Sequence, residues 1–294
     1  MSNTEDRNPK AEDIDTLSAE DILYVMNEED AVVIDAVRSA IPSIAEAVNE
    51  AVEVINNGGR IFYVGAGTSG RLGMLDAAEM HPTFGVSRDL FQVITAGGDE
   101  ALRKSIEGAE DDEDAGRDAA SVIAEKDMVI GITASGKTPF VLSCLDAAKK
   151  RGARCWLITC SGTGVGRGTP VQGLDGIVTI PTGPEIIAGS TRLKAGTATK
   201  LALNMFSTVT MIKLGRVYKG LMVGVVPSSR KLIERAERII AEITGCDRED
   251  ASRYLKLSGM NPKVAIVMKA MNVSRQEAEG LLAEAGGFLR EILG

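Results

Sequence analysis

Arg60-Ile-Phe-Tyr-Val-Gly65-Ala-Gly67-Thr-Ser-Gly70 decides how the rest of this chain is read. An apolar run with strand character, residues 61–64, meets G-x-G-x-x-G, and a helix-like stretch follows over residues 70–79. Such a turn lets the backbone approach a phosphate and aims helix N–H groups at the anion. On these residues alone three readings stand open: a tight strand–helix turn, a phosphate site, or a dinucleotide site. A dinucleotide fold needs an acid near the end of the second strand to hold a ribose. Here that strand, residues 90–95, runs into Ala96-Gly-Gly98, with Asp89 before it and Asp99 beyond the glycines. Gly67, Thr68 and Ser69 offer a close backbone and two hydroxyls, which suit phosphate oxygens.

Working outward, strand and helix patterns alternate. Strands are expected over residues 61–64, 90–95, 128–133, 155–159 and 176–180, with helices over 70–79, 139–151 and 193–215 between and after them. A polar, acidic helical stretch is expected over 100–124. That alternation predicts an α/β fold, a parallel five-stranded sheet sandwiched by helices. Before it, a polar arm over residues 1–17 leads to a short helix capped at Ser18. Two more helices are expected on either side of Pro42, the second ending at Gly58-Gly59. After Pro227 the pattern turns to short helices, with Ser274-x-x-Glu277 a good capping box. The expected division is a helical arm over 1–57 packing on the core, a ligand-binding α/β domain over 58–226, and a small C-terminal helical domain over 227–294.

Gly131-Ile-Thr-Ala-Ser-Gly136-Lys137-Thr138 matches the Walker A pattern letter for letter. In a P-loop the first glycine leaves the strand, whereas Gly131 sits inside an apolar run that Ile132 continues. No apolar strand ends in the aspartate expected to help hold magnesium. Thr133, Ser135 and Thr138, with Lys137 beside them, read better as donors around one phosphate; a polar strand–helix turn is the plainer alternative. Two such loops after two parallel strands open at one sheet edge, where α/β folds bind ligands. A third stretch, Gly183-Pro-Glu185-Ile-Ile-Ala-Gly-Ser-Thr191-Arg192-Leu-Lys194, starts the apolar helix. Its Glu185, Arg192 and Lys194 either orient a polar ligand or cap that helix.

Composition narrows the classes. Of 294 residues, 44% are hydrophobic and only 4% aromatic, and the formal net charge is −8. Few aromatics and no basic stripe argue against nucleic acid or an anionic membrane as partner. The four cysteines form no C-x-x-C, and His81 is the only histidine, so neither a metal centre nor a Ser-His-Asp triad is expected. A polar, acidic N-terminus and the lack of a long apolar run point to a cytoplasmic protein.

Longer blocks carry a resemblance. Val64-Gly-Ala-Gly-Thr-Ser-Gly-Arg-Leu-Gly-Met-Leu-Asp-Ala-Ala-Glu79 is similar to the signature of the N-acetylmuramic acid 6-phosphate etherase family. So are Glu107-Gly-Ala-Glu-Asp-Asp112, Ala134-Ser-Gly-Lys-Thr-Pro139 and Gly189-Ser-Thr-Arg-Leu-Lys-Ala-Gly-Thr197, and the likeness runs from Arg7-Asn-Pro9 into the helical tail. The resemblance implies a sugar isomerase (SIS) domain that binds a phosphosugar, assembled as a homodimer, with no cofactor. It implies a lyase that cleaves the C3 lactyl ether by elimination and rehydration, giving N-acetylglucosamine 6-phosphate and D-lactate. The family's catalytic pair maps onto Glu79 and Glu110. Glu79 is expected as acid for the departing lactate, and Glu110 as helper in ring opening or C2 proton transfer; burial or a neighbouring like charge would aid the acid. A non-catalytic phosphosugar sensor and an aldose–ketose phosphate isomerase are the alternatives. The chain departs from the common family pattern at Met80-His81-Pro82, at Gly224 and in the loop from Cys160 to Gly166.

Overall fold

β1 (Ile61–Gly65) lies between β2 (Phe91–Thr95) and β3 (Met128–Ile132), and β4 (Arg154–Thr159) and β5 (Gly176–Thr179) follow outward in the order β2-β1-β3-β4-β5. This computed structural model describes Thr4, residues 6–161 and residues 172–294. Every pairing among the described strands is parallel, with Gly65 opposite both Thr95 and Ile132. β1 and β3 are buried along their whole length. That burial explains why both read as unbroken apolar runs rather than alternating ones. The strand order reverses between β1 and β3. Their connections leave in opposite directions and open a crevice at the C-terminal ends of these two strands.

Helices cover the sheet. One core joins Phe62, Val64, Val129 and Leu157 to Val141, Leu145 and Ala148 of α5 (Pro139–Lys150). Gly131 makes that packing possible: a Cβ there would lie 2.6 Å from Leu145 Cδ1. Being inside β3, Gly131 cannot open a Walker A loop. α3 (Thr68–Phe84) is tied back to β1 by the Tyr63 hydroxyl, which donates to Asp76 at 2.9 Å.

Two expected element boundaries move. Residues 32–56 form one helix, α2 (Val32–Asn56), with Pro42 inside it, rather than two helices parted by that proline. Pro42 is exposed, so the carbonyl it leaves without a donor, one turn back at exposed Arg38, can take water. A single buried stripe from Val33 to Val54 runs along the helix, and its burial outweighs the missing bond. The expected helix over 100–124 is instead a series of short turns around one seven-residue helix, α4 (Glu113–Ala119). Gly108, with φ of +74°, breaks it, and Asp112 caps the new start by accepting from the Ala115 N–H.

The chain forms two compact units, Met1–Ala77 with Asp89–Phe206, and Ala78–Arg88 with Ser207–Gly294. The divisions fall within α3 and within α6 (Lys194–Lys213). The second unit has its own core, built from Tyr218, Val223, Ile239, Leu255, Ile266 and Leu282. It holds α7 (Arg230–Thr244), α8 (Arg248–Leu257), α9 (Pro262–Met271), α10 (Arg275–Glu284) and α11 (Leu289–Leu293). Ser229 caps α7, Gly245 ends it at φ +70°, and the Ser274–Glu277 capping box opens α10. Within this unit Gly224 lies against the turn after α3, where an added Cβ would sit 2.4 Å from the Phe84 carbonyl oxygen.

Candidate functional site

At the C-terminal ends of β1 and β3 the first unit holds a cleft of about 290 Å³. Thr68 and Ser69 reach it from the start of α3, and Thr133, Ser135 and Thr138 from the loop after β3. The first loop is shaped by glycine in two ways. Gly67 adopts φ of +54°, a left-handed conformation that side-chain-bearing residues adopt at a cost. Gly65 lies so close to the start of α3 that an added Cβ would be 2.6 Å from the Gly70 nitrogen, which is backbone and cannot swing away. Gly65→Ala is therefore expected to cost about 1–3 kcal/mol and to distort the loop. Thermal unfolding and anion binding measured on the same sample check this.

The second loop presents a hydroxyl cluster. Thr133 Oγ1 is 2.7 Å from Thr138 Oγ1 and 3.3 Å from Ser135 Oγ, and Ser135 Oγ accepts from the Lys137 N–H at 3.2 Å. Thr138 stands at the N-cap of α5 without a side-chain bond to the first turn, and Pro139 follows at the first helical position. Two helix starts, those of α3 and α5, thus flank one hydroxyl-lined cleft, and among the described residues no lysine or arginine side chain lines it. Neutral donors and helix N-termini suit a phosphate dianion, whose oxygens accept several hydrogen bonds at once.

The remaining expected residues fall in several places. Glu110 lines the cleft from the short turn at Ala109–Asp111 and is exposed. Glu79, also exposed, lies on α3 in the second unit. His81, in that unit too, turns Nδ1 to the Val86 carbonyl oxygen at 2.7 Å, an arrangement that puts a proton on Nδ1. Lys137 is exposed and its side chain faces a separate groove beside Glu113, Arg117 and Asp146. Of the departing loop, residues 162–166 lie outside the described residues.

Glu185 and Lys194 are buried and hold the start of α6. Glu185 accepts from the backbone N–H groups of Lys194 at 3.0 Å and Ala195 at 2.9 Å. Burial pushes its carboxyl above the ordinary carboxylate value, and the two N–H bonds oppose that. The Lys194 ammonium donates to Glu29 at 2.6 Å, and Asn8 Nδ2 donates to the same oxygen at 2.6 Å. The start of α6, thus fixed, adds Gly189, Thr191, Ala195, Gly196 and Thr199 to the cleft wall. Thr191 and Thr199 escaped the sequence reading. Thr191 carried the same hydroxyl-after-glycine signal as the other loops, whereas Thr199 carried only its spacing, two helical turns on.

A family model described as the glucokinase regulatory protein N-terminal SIS domain matches residues 43–149. An N-acetylmuramic acid 6-phosphate etherase of Rhizobium rhizogenes is 47% identical over 292 residues, covering 99% of this chain and 94% of its own. That of Clostridium acetobutylicum is 48% identical over 296 residues, covering 99% and 95%. Among solved structures, a phosphoheptose isomerase from Francisella tularensis aligns with a TM-score of 0.51 at 18% identity, over 67% of this chain and 100% of its own. That last likeness shows the fold alone.

Proposed function

The chain belongs to the N-acetylmuramic acid 6-phosphate etherase family, and on that premise we propose that it is a lyase releasing D-lactate from N-acetylmuramic acid 6-phosphate. The observation that carries the reading is Glu110 on the wall of the hydroxyl-lined cleft. One cleft then offers donors for a 6-phosphate and a carboxylate for proton transfer. Gly67, Thr68, Ser69, Thr133, Ser135 and Thr138 hold the phosphate. Lys137 supports Ser135 through its backbone N–H, and Glu185 and Lys194 serve by fixing the α6 wall.

In the open-chain aldehyde the C2 proton is acidified by the carbonyl, and a carboxylate base removes it. The electron pair forms the C2–C3 double bond as the C3–O bond breaks. An alkoxide leaves poorly from an ether, so Glu79 protonates the departing lactate oxygen. Water then adds at C3, deprotonated by the same carboxylate, and C2 regains a proton. The sum is substrate plus water giving N-acetylglucosamine 6-phosphate and D-lactate. Glu110 assists ring opening or the C2 transfer.

We place the protein in the cytoplasm as a homodimer. Among the described residues Cys144, Cys155, Cys160 and Cys246 are unpaired thiols, which suits a reducing compartment. Leu23 and Tyr24 of α1 (Ala19–Asp30), 66% and 65% exposed, and Ile34 of α2, 55% exposed, are large apolar side chains that a second copy could cover. Sedimentation at micromolar protein tests the dimer.

The direct test of the activity is lactate release from the muramic phosphate by purified protein. Phosphosugar binding without lactate would make the protein a sensor, and ketose formation would make it an isomerase. Ser135→Ala is expected to raise KM about 10–100-fold, the loss of one hydrogen bond to a charged group, while kcat stays within about twofold. Steady-state kinetics separate the two constants.

A further inference from the structure

A second cavity, of about 280 Å³, adjoins the hydroxyl-lined cleft: Ala66, Gly67 and Glu110 line both. Its own wall carries two cationic side chains, Arg71 from α3 and Lys104 from the turn after Leu102. Resting on the lyase reading above, we propose that Arg71 and Lys104 form a carboxylate subsite that seats the lactyl group of the substrate. They are then the residues that distinguish the ether substrate from its product, which lacks that group.

The chemistry of the substrate motivates the assignment. It has two anionic ends, a 6-phosphate and a lactyl carboxylate, with the bond to be cleaved between them. Among the described residues the hydroxyl-lined cleft supplies neutral donors for the first anion and no cationic side chain for the second. The adjoining cavity supplies the cations, and Glu110 stands where the two cavities meet. A proton-transferring carboxylate belongs at that boundary, beside the atoms that react.

Both cations are available. Arg71 is half-buried and donates one Nη2 bond to the Lys104 carbonyl oxygen at 3.2 Å. That bond orients a planar fork whose other N–H groups can engage a carboxylate in bidentate fashion. The Lys104 ammonium pairs with Glu100 at 2.8 Å, with 60% and 70% of the two side chains exposed. Such a surface pair is worth little and yields readily to an incoming anion. Glu107 also lines this cavity. With Glu110 it would repel a substrate carboxylate, so the site needs both cations to accept one. Among the described residues nothing lies within 4 Å of a Cβ built on Gly67, a residue that lines both cavities.

The test compares two ligands on two variants. Calorimetry measures the Kd of N-acetylmuramic acid 6-phosphate and of N-acetylglucosamine 6-phosphate on the whole chain, its Glu79→Gln form serving to slow turnover during the titration. Arg71→Gln and, separately, Lys104→Gln are then introduced. The expected result is at least a tenfold weaker Kd for the muramic phosphate and less than a twofold change for the glucosamine phosphate. The retained second affinity doubles as the control that the variant is folded, and exposed Lys104 carries the test should Arg71→Gln fail to fold. Equal losses on both ligands, or no loss on either, would overturn the subsite. Selective loss in binding with no lactate from the wild-type protein would leave the subsite standing and remove the lyase reading instead.

Discussion

Glu79→Gln is expected to lower lactate release by about 10²–10⁴-fold, the usual contribution of a positioned proton donor. Glutamine keeps the size of the side chain and its hydrogen-bonding reach but has no proton to give to the departing oxygen. In the proposed mechanism the same carboxylate also activates the incoming water, so elimination and hydration should both slow. Glu79 is exposed, so the substitution disturbs no packing and the fold should be unaffected. Affinity for N-acetylglucosamine 6-phosphate should stay within about twofold, since the proposed phosphate donors are the hydroxyls that line the cleft, not Glu79. Single-turnover release of lactate, with a parallel binding measurement, reads both. A rate within tenfold of wild type would end the acid role of Glu79.

Lys194→Met should give the largest loss of stability. The ammonium is 3% exposed and meets a Glu29 carboxylate that is itself only 12% exposed. Burial pushes the Glu29 carboxyl up, but bonds from Lys194, Asn8 and Lys10 outweigh it and hold the group below its ordinary value of 4.5. Removing Lys194 strands that carboxylate. The usual cost of an orphaned buried charge is about 3–5 kcal/mol, and the lower end applies because half-exposed Lys10 remains 3.2 Å from it. Thermal unfolding should fall by about 6–10 °C. Glu29→Gln placed on top should recover part of the loss, because no charge is then left buried.

The pH dependence of that loss follows from the lowered Glu29 value. A carboxyl depressed in the folded state contributes its stability above 4.5, and loses it as pH falls through the folded value. The gap between wild type and Lys194→Met should therefore be full at pH 7 and narrow in acid. Unfolding midpoints measured between pH 3 and pH 7 give the curve, and a gap independent of pH would show that the ion pair is not its source. Activity should fall with stability, since Lys194 and Glu185 set the start of the helix that closes one wall of the cleft.

The sheet and the hydroxyl-lined edge at its strand ends were legible in the sequence because both depend on local pattern. Parallel strands buried on two faces must be runs of apolar residues, so β1 and β3 announced themselves. A loop that brings backbone to a phosphate needs glycine for space, and hydroxyls to supply the bonds, so Gly65–Gly70 and Thr133–Thr138 could be read as one site. The glycine of the Walker-like run was legible too: Gly131 sits in an apolar stretch, and its partner is Leu145.

What failed to read locally was whatever depends on distant partners. Pro42 signals a break by every local rule, yet the buried stripe on either side keeps α2 whole. Gly108 looked like one residue in an acidic helix, and only the backbone at φ +74° shows that it ends a turn and sets Glu110 on the cleft wall. Glu185 and Lys194 had the right chemistry for a ligand. Whether their charges face a ligand or another side chain is a question of what lies opposite. For Lys194 that is Glu29, 165 residues away. The layered parallel fold and the family could be read from the chain alone, because propensity, glycine placement and ordered motifs are written residue by residue. Three things came from the folded chain instead: which charges are spent on holding α6, that Thr199 joins the cleft, and that Arg71 and Lys104 share a cavity with Glu110. Each of those depends on side chains brought together across long stretches of chain, which no local pattern encodes.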